Sequence, residues 1–171
     1  MAVDYSFKPY NPQFSDIFLH EKKRLLESLS FTPRIEHLGS TAIKDLGGKG
    51  IIDMYLVAEP ENIENAKEEV SQAGYDARPN EGNEHRYVFV RDADNQFGNK
   101  QRYHLHLCSS ESEDFKNSLI FCKYLQHHQE VAKEYAKIKQ RAAEEAEQSK
   151  DKYLAIKGPY IQKVMDLATS E

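Results

Sequence analysis

An acidic residue, Asp53, stands inside the apolar run Ile51-Ile-Asp-Met-Tyr-Leu-Val57. A carboxylate at such a place is costly to bury unless a cation or a ligand meets it. Upstream lie a Gly39-Ser40 turn and Lys49, the latter in a loop with glycines at 47, 48 and 50, where backbone can approach a ligand closely. The backbone N–H groups of a Gly-Ser turn leading into a helical turn at Ser40–Ile43 suit a phosphate. Downstream, Tyr103-His-Leu-His-Leu107 alternates. On a strand this puts His104 and His106 on one face and Tyr103, Leu105 and Leu107 on the other. Two imidazoles so spaced can share a divalent metal or contact one phosphate.

The same period of two puts Ile51, Asp53, Tyr55 and Val57 on one face and Ile52, Met54 and Leu56 on the other, with Lys49 joining the Asp53 face if the strand begins early. A structural ion pair to a lysine or arginine is the alternative reading of Asp53. His37, just before the turn, is expected to orient it rather than to hold metal. His127 and His128 splay apart on a helix and are expected at the surface, while Arg86 and Arg91 flank a strand from which phosphate contacts are conceivable.

These residues need strands to carry them. Apolar spacing predicts a helix over Phe14–Leu29, capped by Ser15-Asp16, with a solvated charged face of Glu21, Lys22, Lys23 and Arg24. An extended arm over 1–13, with Pro9 and Pro12, is expected to pack Tyr5, Phe7 and Tyr10 on the body. Strands follow at Arg34–Leu38 and Ile51–Val57, then a helix opened by Pro60, running to about Ala73 and closed by Gly74. Tyr75–Asn83 reads as turns, His85–Arg91 and Gln101–Cys108 as a hairpin with a long connection. Helices are expected at Asp114–His127, Glu130–Gln148 and Asp151–Thr169, the last kinked or split at Gly158-Pro159. The class is α+β: a small mixed sheet, helices on one face, and a helical tail over about 113–171.

At 171 residues the chain is expected to form one domain, 1–171, with a real core. Its net charge of -5, with cations interspersed among acids, argues against a nucleic-acid partner but leaves room for a small phosphorylated ligand or nucleotide. Glu144, Glu145 and Glu147 read as a solvated helix face. The start, Met1-Ala-Val-Asp-Tyr, lacks the build of a signal peptide, and no window holds the roughly 18 apolar residues of a membrane span. The expectation is a cytoplasmic protein without a membrane partner. Cys108 and Cys122 lack CxxC spacing and are read as packing residues.

The runs Ile35-Glu-His-Leu-Gly-Ser-Thr-Ala-Ile43, Gly47-Gly-Lys-Gly-Ile-Ile-Asp53, Tyr103-His-Leu-His-Leu107, Phe121-Cys-Lys-Tyr-Leu125 and Tyr153-Leu-Ala-Ile-Lys157 resemble the GrpB family, also called UPF0157, over essentially the whole chain. That family is similar to the nucleotidyltransferase superfamily of the DNA polymerase β type. The resemblance implies a small sheet whose Gly-Ser turn binds triphosphate and whose strand carboxylates hold Mg²⁺. Gly39 and Ser40 match the turn, and Asp53 matches the first carboxylate. Lys49 and Lys157 also fall at positions like the family's pattern, as cofactor-binding lysines. Tyr55 stands where active superfamily members have a second carboxylate, and His104 and His106 stand on the later strand in place of a third. The resemblance therefore implies a catalytic and metal set of Asp53, His104 and His106, holding Mg²⁺ or Mn²⁺, or Zn²⁺ on account of the imidazoles. It further implies transfer of a nucleotide from an NTP to an acceptor, with the histidines as metal ligands or as acid and base. The alternative it leaves open is a nucleotide- or phosphate-binding module without turnover.

Overall fold

The strand of Asp53 and the strand of the two histidines lie side by side, and they run parallel. The computed structural model describes residues 5–171. In chain order it has α1 (Phe14–Ser28), β1 (Arg34–Leu38), β2 (Ile52–Val57), α2 (Ile63–Gln72), β3 (Asp76–Ala77), β4 (Arg86–Asp94), β5 (Lys100–Cys108), α3 (Glu113–His127), α4 (Gln129–Glu145) and α5 (Lys150–Ser170). Short 3-10 turns cover Ser40–Ala42 and Pro60–Asn62. The strands form one sheet in the order β1-β2-β5-β4-β3, with β2–β5 parallel and the other pairs antiparallel. The fold is α+β with a mixed sheet. No helix among the described residues is long and apolar enough to cross a membrane.

Alternation on the two inner strands sorts the core. Ile52, Met54, Leu56, Tyr103, Leu105 and Leu107 pack with α1 and α2 through Ile17, Phe18, Leu25, Ala66 and Val70. Fully burying one such aliphatic side chain is worth about 1.5–3 kcal/mol. On the opposite face, Leu38, Tyr55, Val57 and Cys108 meet the C-terminal helices through Phe115, Cys122, Leu125, Tyr135, Tyr160 and Val164. Both cysteines are buried and free, as packing residues would be.

Four local expectations change. The start of α1 is set not by Ser15-Asp16 but by a turn at Asn11-Pro12-Gln13, in which Phe14 N–H donates to Asn11 O at 3.0 Å and Gln13 N–H to Asn11 Oδ1 at 3.0 Å. Ser15 and Asp16 lie inside the first helical turn. The hairpin ladder continues to Asp94↔Lys100, because Arg102–Asp92 and Lys100–Asp94 ion pairs tie its far end, leaving only Asn95–Asn99 as the connection. Helix α4 stops at Glu145, since Glu147 and Gln148 take left-handed φ of 51° and 63°. Finally, α5 runs unbroken through Pro159: the preceding Gly158 has no Cβ to clash with the proline ring, and Pro159 faces solvent.

The arm does pack its aromatics on the body. Tyr5 lies on Tyr153 with ring centroids 5.3 Å apart, and Tyr10 meets Phe14 edge-on at 5.6 Å. Residues 1–4 of that arm lie outside the described residues. Lys8 pairs with Gly48 as a two-bond bridge of 2.7 and 2.9 Å, which strings the arm along the glycine loop.

The charged face of α1 is not merely solvated. Glu21 is 2% exposed and accepts hydrogen bonds from Arg24 (2.7 and 3.0 Å), Arg91 (3.2 Å) and the Tyr75 hydroxyl (2.7 Å). This carboxylate joins α1, β4 and the end of α2, where Arg24 also reaches the Ala73 carbonyl at 2.9 Å. Glu21→Ala strips three donors of their acceptor and is expected to cost about 3 kcal/mol, the lower end for a broken buried pair because both arginines keep some solvent. A urea melt reads this as a lower midpoint with the same slope; an unshifted midpoint would show the cluster to be ornamental.

Candidate functional site

The parallel register sets Asp53 beside His104 and Tyr55 beside His106. Alternation then turns Asp53, His104 and His106 to the same face. His106 Nε2 lies 3.5 Å and His104 Nδ1 3.8 Å from Asp53 Oδ1, and one ligand atom from each of the three residues fits within 4.8 Å of the others. Burial pushes the Asp53 carboxyl up, but the hydrogen bond from His106 and the electrostatic pull of the two imidazoles and Lys49 outweigh it, so Asp53 sits below its ordinary range. Burial lowers His104, against the opposing pull of Asp53.

The Gly-Ser turn reaches this carboxylate because β1 ends opposite it, with Leu38 paired to Asp53. Gly39 has φ of 75°, and a Cβ placed on it would lie 2.5 Å from Asp53 Oδ2. Glycine is required there twice, for its backbone and for its lack of bulk. His37 orients the turn, as expected: its Nε2 is 2.9 Å from the Thr41 hydroxyl, which donates to Ile51 O at 3.1 Å. Stacked on Phe18 and buried, His37 is lowered to about 4 and stays neutral.

Three lysines lie within electrostatic reach of the carboxylate, one more than the sequence pointed to. Lys49 lies over the rings of Tyr5 (5.0 Å) and Tyr153 (5.6 Å), and Lys157 over Tyr153 at 5.0 Å. Lys139, on α4, is 5% exposed, donates to Gly47 O at 3.1 Å and lies 5.5 Å from the Tyr135 ring. A Cβ on Gly48 would run into both Lys139 Nζ and Ser40 Oγ, so turn and lysine meet over that glycine. Burial lowers Lys139 to about 7 and Lys157 to about 8; neighbouring ammonium groups push the same way and Asp53 opposes them. Lys49 is lowered too, again by burial first. Lys139 carried a legible signal: it falls on the buried stripe Ala132, Tyr135, Lys139, Ala142, and repeats the Tyr-x-x-x-Lys spacing of Tyr153 and Lys157.

A cleft of about 340 Å³ opens beside Asp53, bounded by Gly39, Tyr55 and His106 on the sheet side and by Ser118, Phe121, Ile161 and Met165 on the helices. Tyr55 stacks on His106 at 4.5 Å, and its hydroxyl is 2.8 Å from Ser118 Oγ. Burial pushes that phenol up to about 12, so it offers no anionic oxygen to a hard cation. Arg86 reaches the site, with Nη1 2.9 Å from His106 Nδ1 and Nε 3.1 Å from Asp114 Oδ2. Arg91 turns to the other face and is held by Glu21. His127 and His128 bond to carbonyls of their own helix, remote from the cleft. One carboxylate with imidazoles suits a single Mn²⁺ or Zn²⁺; it does not suit a pair of Mg²⁺ ions in an all-oxygen shell.

A family model described as GrpB protein matches residues 5–167. UPF0157 protein YqkA of Bacillus subtilis is 32% identical over 156 residues, covering 89% of this chain and 43% of that protein. UPF0157 protein BH1888 of Halalkalibacterium halodurans is 27% identical over 165 residues, covering 94% of this chain and 80% of that one. The chain thus spans less than half of YqkA's length. The crystal structure of conserved protein GrpB from Enterococcus faecalis overlays with a TM-score of 0.79 at 25% identity, over 95% of this chain and 96% of that one. A Cid1 poly(U) polymerase overlays more loosely, with a TM-score of 0.45 at 12% identity over 76% and 44% of the two chains. The chain belongs to the GrpB family.

The contact of Gly39 with Asp53 has a measurable price in stability. Gly39→Ala places a Cβ against the carboxylate at an unfavourable φ and is expected to lose about 1–3 kcal/mol. Denaturant unfolding that matches the unaltered protein would show that the turn does not need glycine.

Proposed function

We propose that this GrpB-family chain binds the phosphates of a nucleotide at the Asp53 face and carries out nucleotidyl transfer from an NTP to an acceptor with one divalent ion. The observation that carries the reading is the gathering of Lys49, Lys139 and Lys157 about the Asp53 carboxylate, against which the Gly-Ser turn packs, in a chain whose net charge is -5. Gathering one buried and two half-buried ammonium groups costs stability unless an anion meets them. The Tyr5, Tyr135 and Tyr153 rings offset part of that cost and fix the ammonium positions. Phosphate groups are the anions whose size and charge match three lysines beside a Gly-Ser turn.

The ion would be held by Asp53 with imidazole nitrogen from the adjacent strand, and when bound it would polarise a phosphate oxygen. Gly39 lets the turn lie directly against the carboxylate, and Ser40 Oγ and Lys139 Nζ approach one another over Gly48, where a phosphate would meet both. Phe121, Ile161 and Met165 give the cleft beside Asp53 an apolar wall. One observation favours a second reading, a phosphate-binding module without turnover: the Tyr55 hydroxyl is engaged with Ser118 where a second carboxylate would stand.

Calorimetry with ATP and Mn²⁺ is expected to show binding that a chelator abolishes and Asp53→Asn removes. Chelator-insensitive binding, with no label passing from an α-labelled NTP, would select the module. Lys139→Met is expected to weaken ATP binding about tenfold or more, the worth of one charged hydrogen bond. The pH dependence follows from the same ammonium groups. Phosphate binds the protonated form, and the free protein loses these protons as the pH rises through about 7 at Lys139 and about 8 at Lys157. Affinity should therefore fall from weakly acidic to alkaline pH, with proton uptake on binding in between. A flat profile would remove the lysines from the site.

A further inference from the structure

We propose that the two histidines divide their work: His104 is the imidazole ligand of the metal, while His106 is a hydrogen-bond donor to a phosphate oxygen, its proton pinned on Nε2 by Arg86. Only the phosphate half of this rests on the function proposed above.

Arg86, beside the His106 ring, cannot accept a hydrogen bond. A guanidinium carries five N–H donors and no lone pair to offer. Arg86 Nη1 lies 2.9 Å from His106 Nδ1, so Nδ1 must present its lone pair and the ring proton must sit on Nε2. That Nε2–H points at Asp53 Oδ1, 3.5 Å away, along the wall of the cleft. The arrangement is braced at both ends. Arg86 Nε donates to Asp114 Oδ2 at 3.1 Å, and the same oxygen accepts from Asn83 Nδ2 at 2.7 Å. The His106 ring is held flat against Tyr55, only 19° from parallel.

A metal on Nε2 would need that lone pair free. The proton would have to move to Nδ1, where its N–H would face the N–H of Arg86 head to head. Metal-bound histidines have the reverse arrangement, with an acceptor behind the ring that takes the other N–H. The polarity at His106 is wrong for a ligand and right for a donor. His104 has no such constraint: among the described residues its polar approach is to Asp53, with Nδ1 at 3.8 Å from Oδ1. An incoming phosphate oxygen beside Asp53 would receive the Nε2–H of His106, and Arg86 is the positioning residue that keeps it there.

Long-range ¹H–¹⁵N spectra of the metal-free full chain test this directly. A protonated-type Nε2 and a lone-pair-type Nδ1 at His106 are expected; the opposite assignment overturns the proposal in the unaltered protein. Arg86→Lys, which also can only donate, should keep the tautomer, and Arg86→Met should release it. Zinc titration then separates the histidines. His104→Gln should lose more than the roughly tenfold that even an outer partner's removal brings, while His106→Gln stays near the unaltered protein. Equal losses overturn the division. In Arg86→Met, zinc should bind more tightly, and that gain should vanish in Arg86→Met/His106→Gln; a gain that persists is a charge effect and counts against the tautomer. With inorganic pyrophosphate added, the Nε2–H signal should shift in the unaltered protein. If pyrophosphate does not bind, the proposed function and the phosphate half fall together, and the tautomer and zinc results still decide the rest.

Discussion

The parallel pairing of β2 with β5 is the constraint on which the rest of the molecule depends. It fixes Asp53 opposite His104 and Tyr55 opposite His106. Because side chains alternate, it also sends Met54, Leu105 and Leu107 to the core beneath α1 and α2. A slip of one residue would exchange the faces, burying the charges and exposing the aliphatic set. The hydrophobic core and the polar site are thus two sides of one register, and the core enforces the site.

Placing cations around that carboxylate is the second problem the fold has to solve. The chain as a whole is acidic, yet the Asp53 face gathers three lysines, and Arg86 stands at its rim. Aromatic rings and backbone carbonyls take the place of water around them: Tyr5, Tyr135 and Tyr153 for the ammonium groups, and the Gly47 carbonyl for Lys139. The glycine loop makes that last contact possible, since a side chain at Gly48 would occupy the space where Lys139 and Ser40 approach.

What was legible in the sequence is what depends on short-range periodicity. The alternation through Ile51–Val57 and Tyr103–Leu107 gave the facing of Asp53, His104 and His106, and the helices fell close to their expected spans. Lys49 and Lys157 come within electrostatic reach of Asp53. What stayed hidden depends on long-range partners. Glu21 sits in a charged helical stretch, and only the arrival of Arg91 and Tyr75 from distant segments makes it a buried acceptor. For Lys139 the stripe and the Tyr-x-x-x-Lys spacing mark the residue, but its partner, the Gly47 carbonyl, is one that no side-chain pattern announces. Arg86 was placed near the site but not against an imidazole, a contact set by cross-strand geometry rather than spacing.

The arm and α5 close on the same loop from opposite ends of the chain. Lys8 is bonded to Gly48, the Tyr5 N–H to Gln148, and the Tyr5 ring lies on Tyr153, the residue that also shelters Lys49 and Lys157. Within this fold the pocket therefore waits on α5 during synthesis. A nascent chain can complete its sheet while α5 is still inside the ribosome, but Tyr153 and Lys157 arrive only when that helix emerges. Until then the glycine loop has only the arm, through Lys8, and Lys139 of α4 against it.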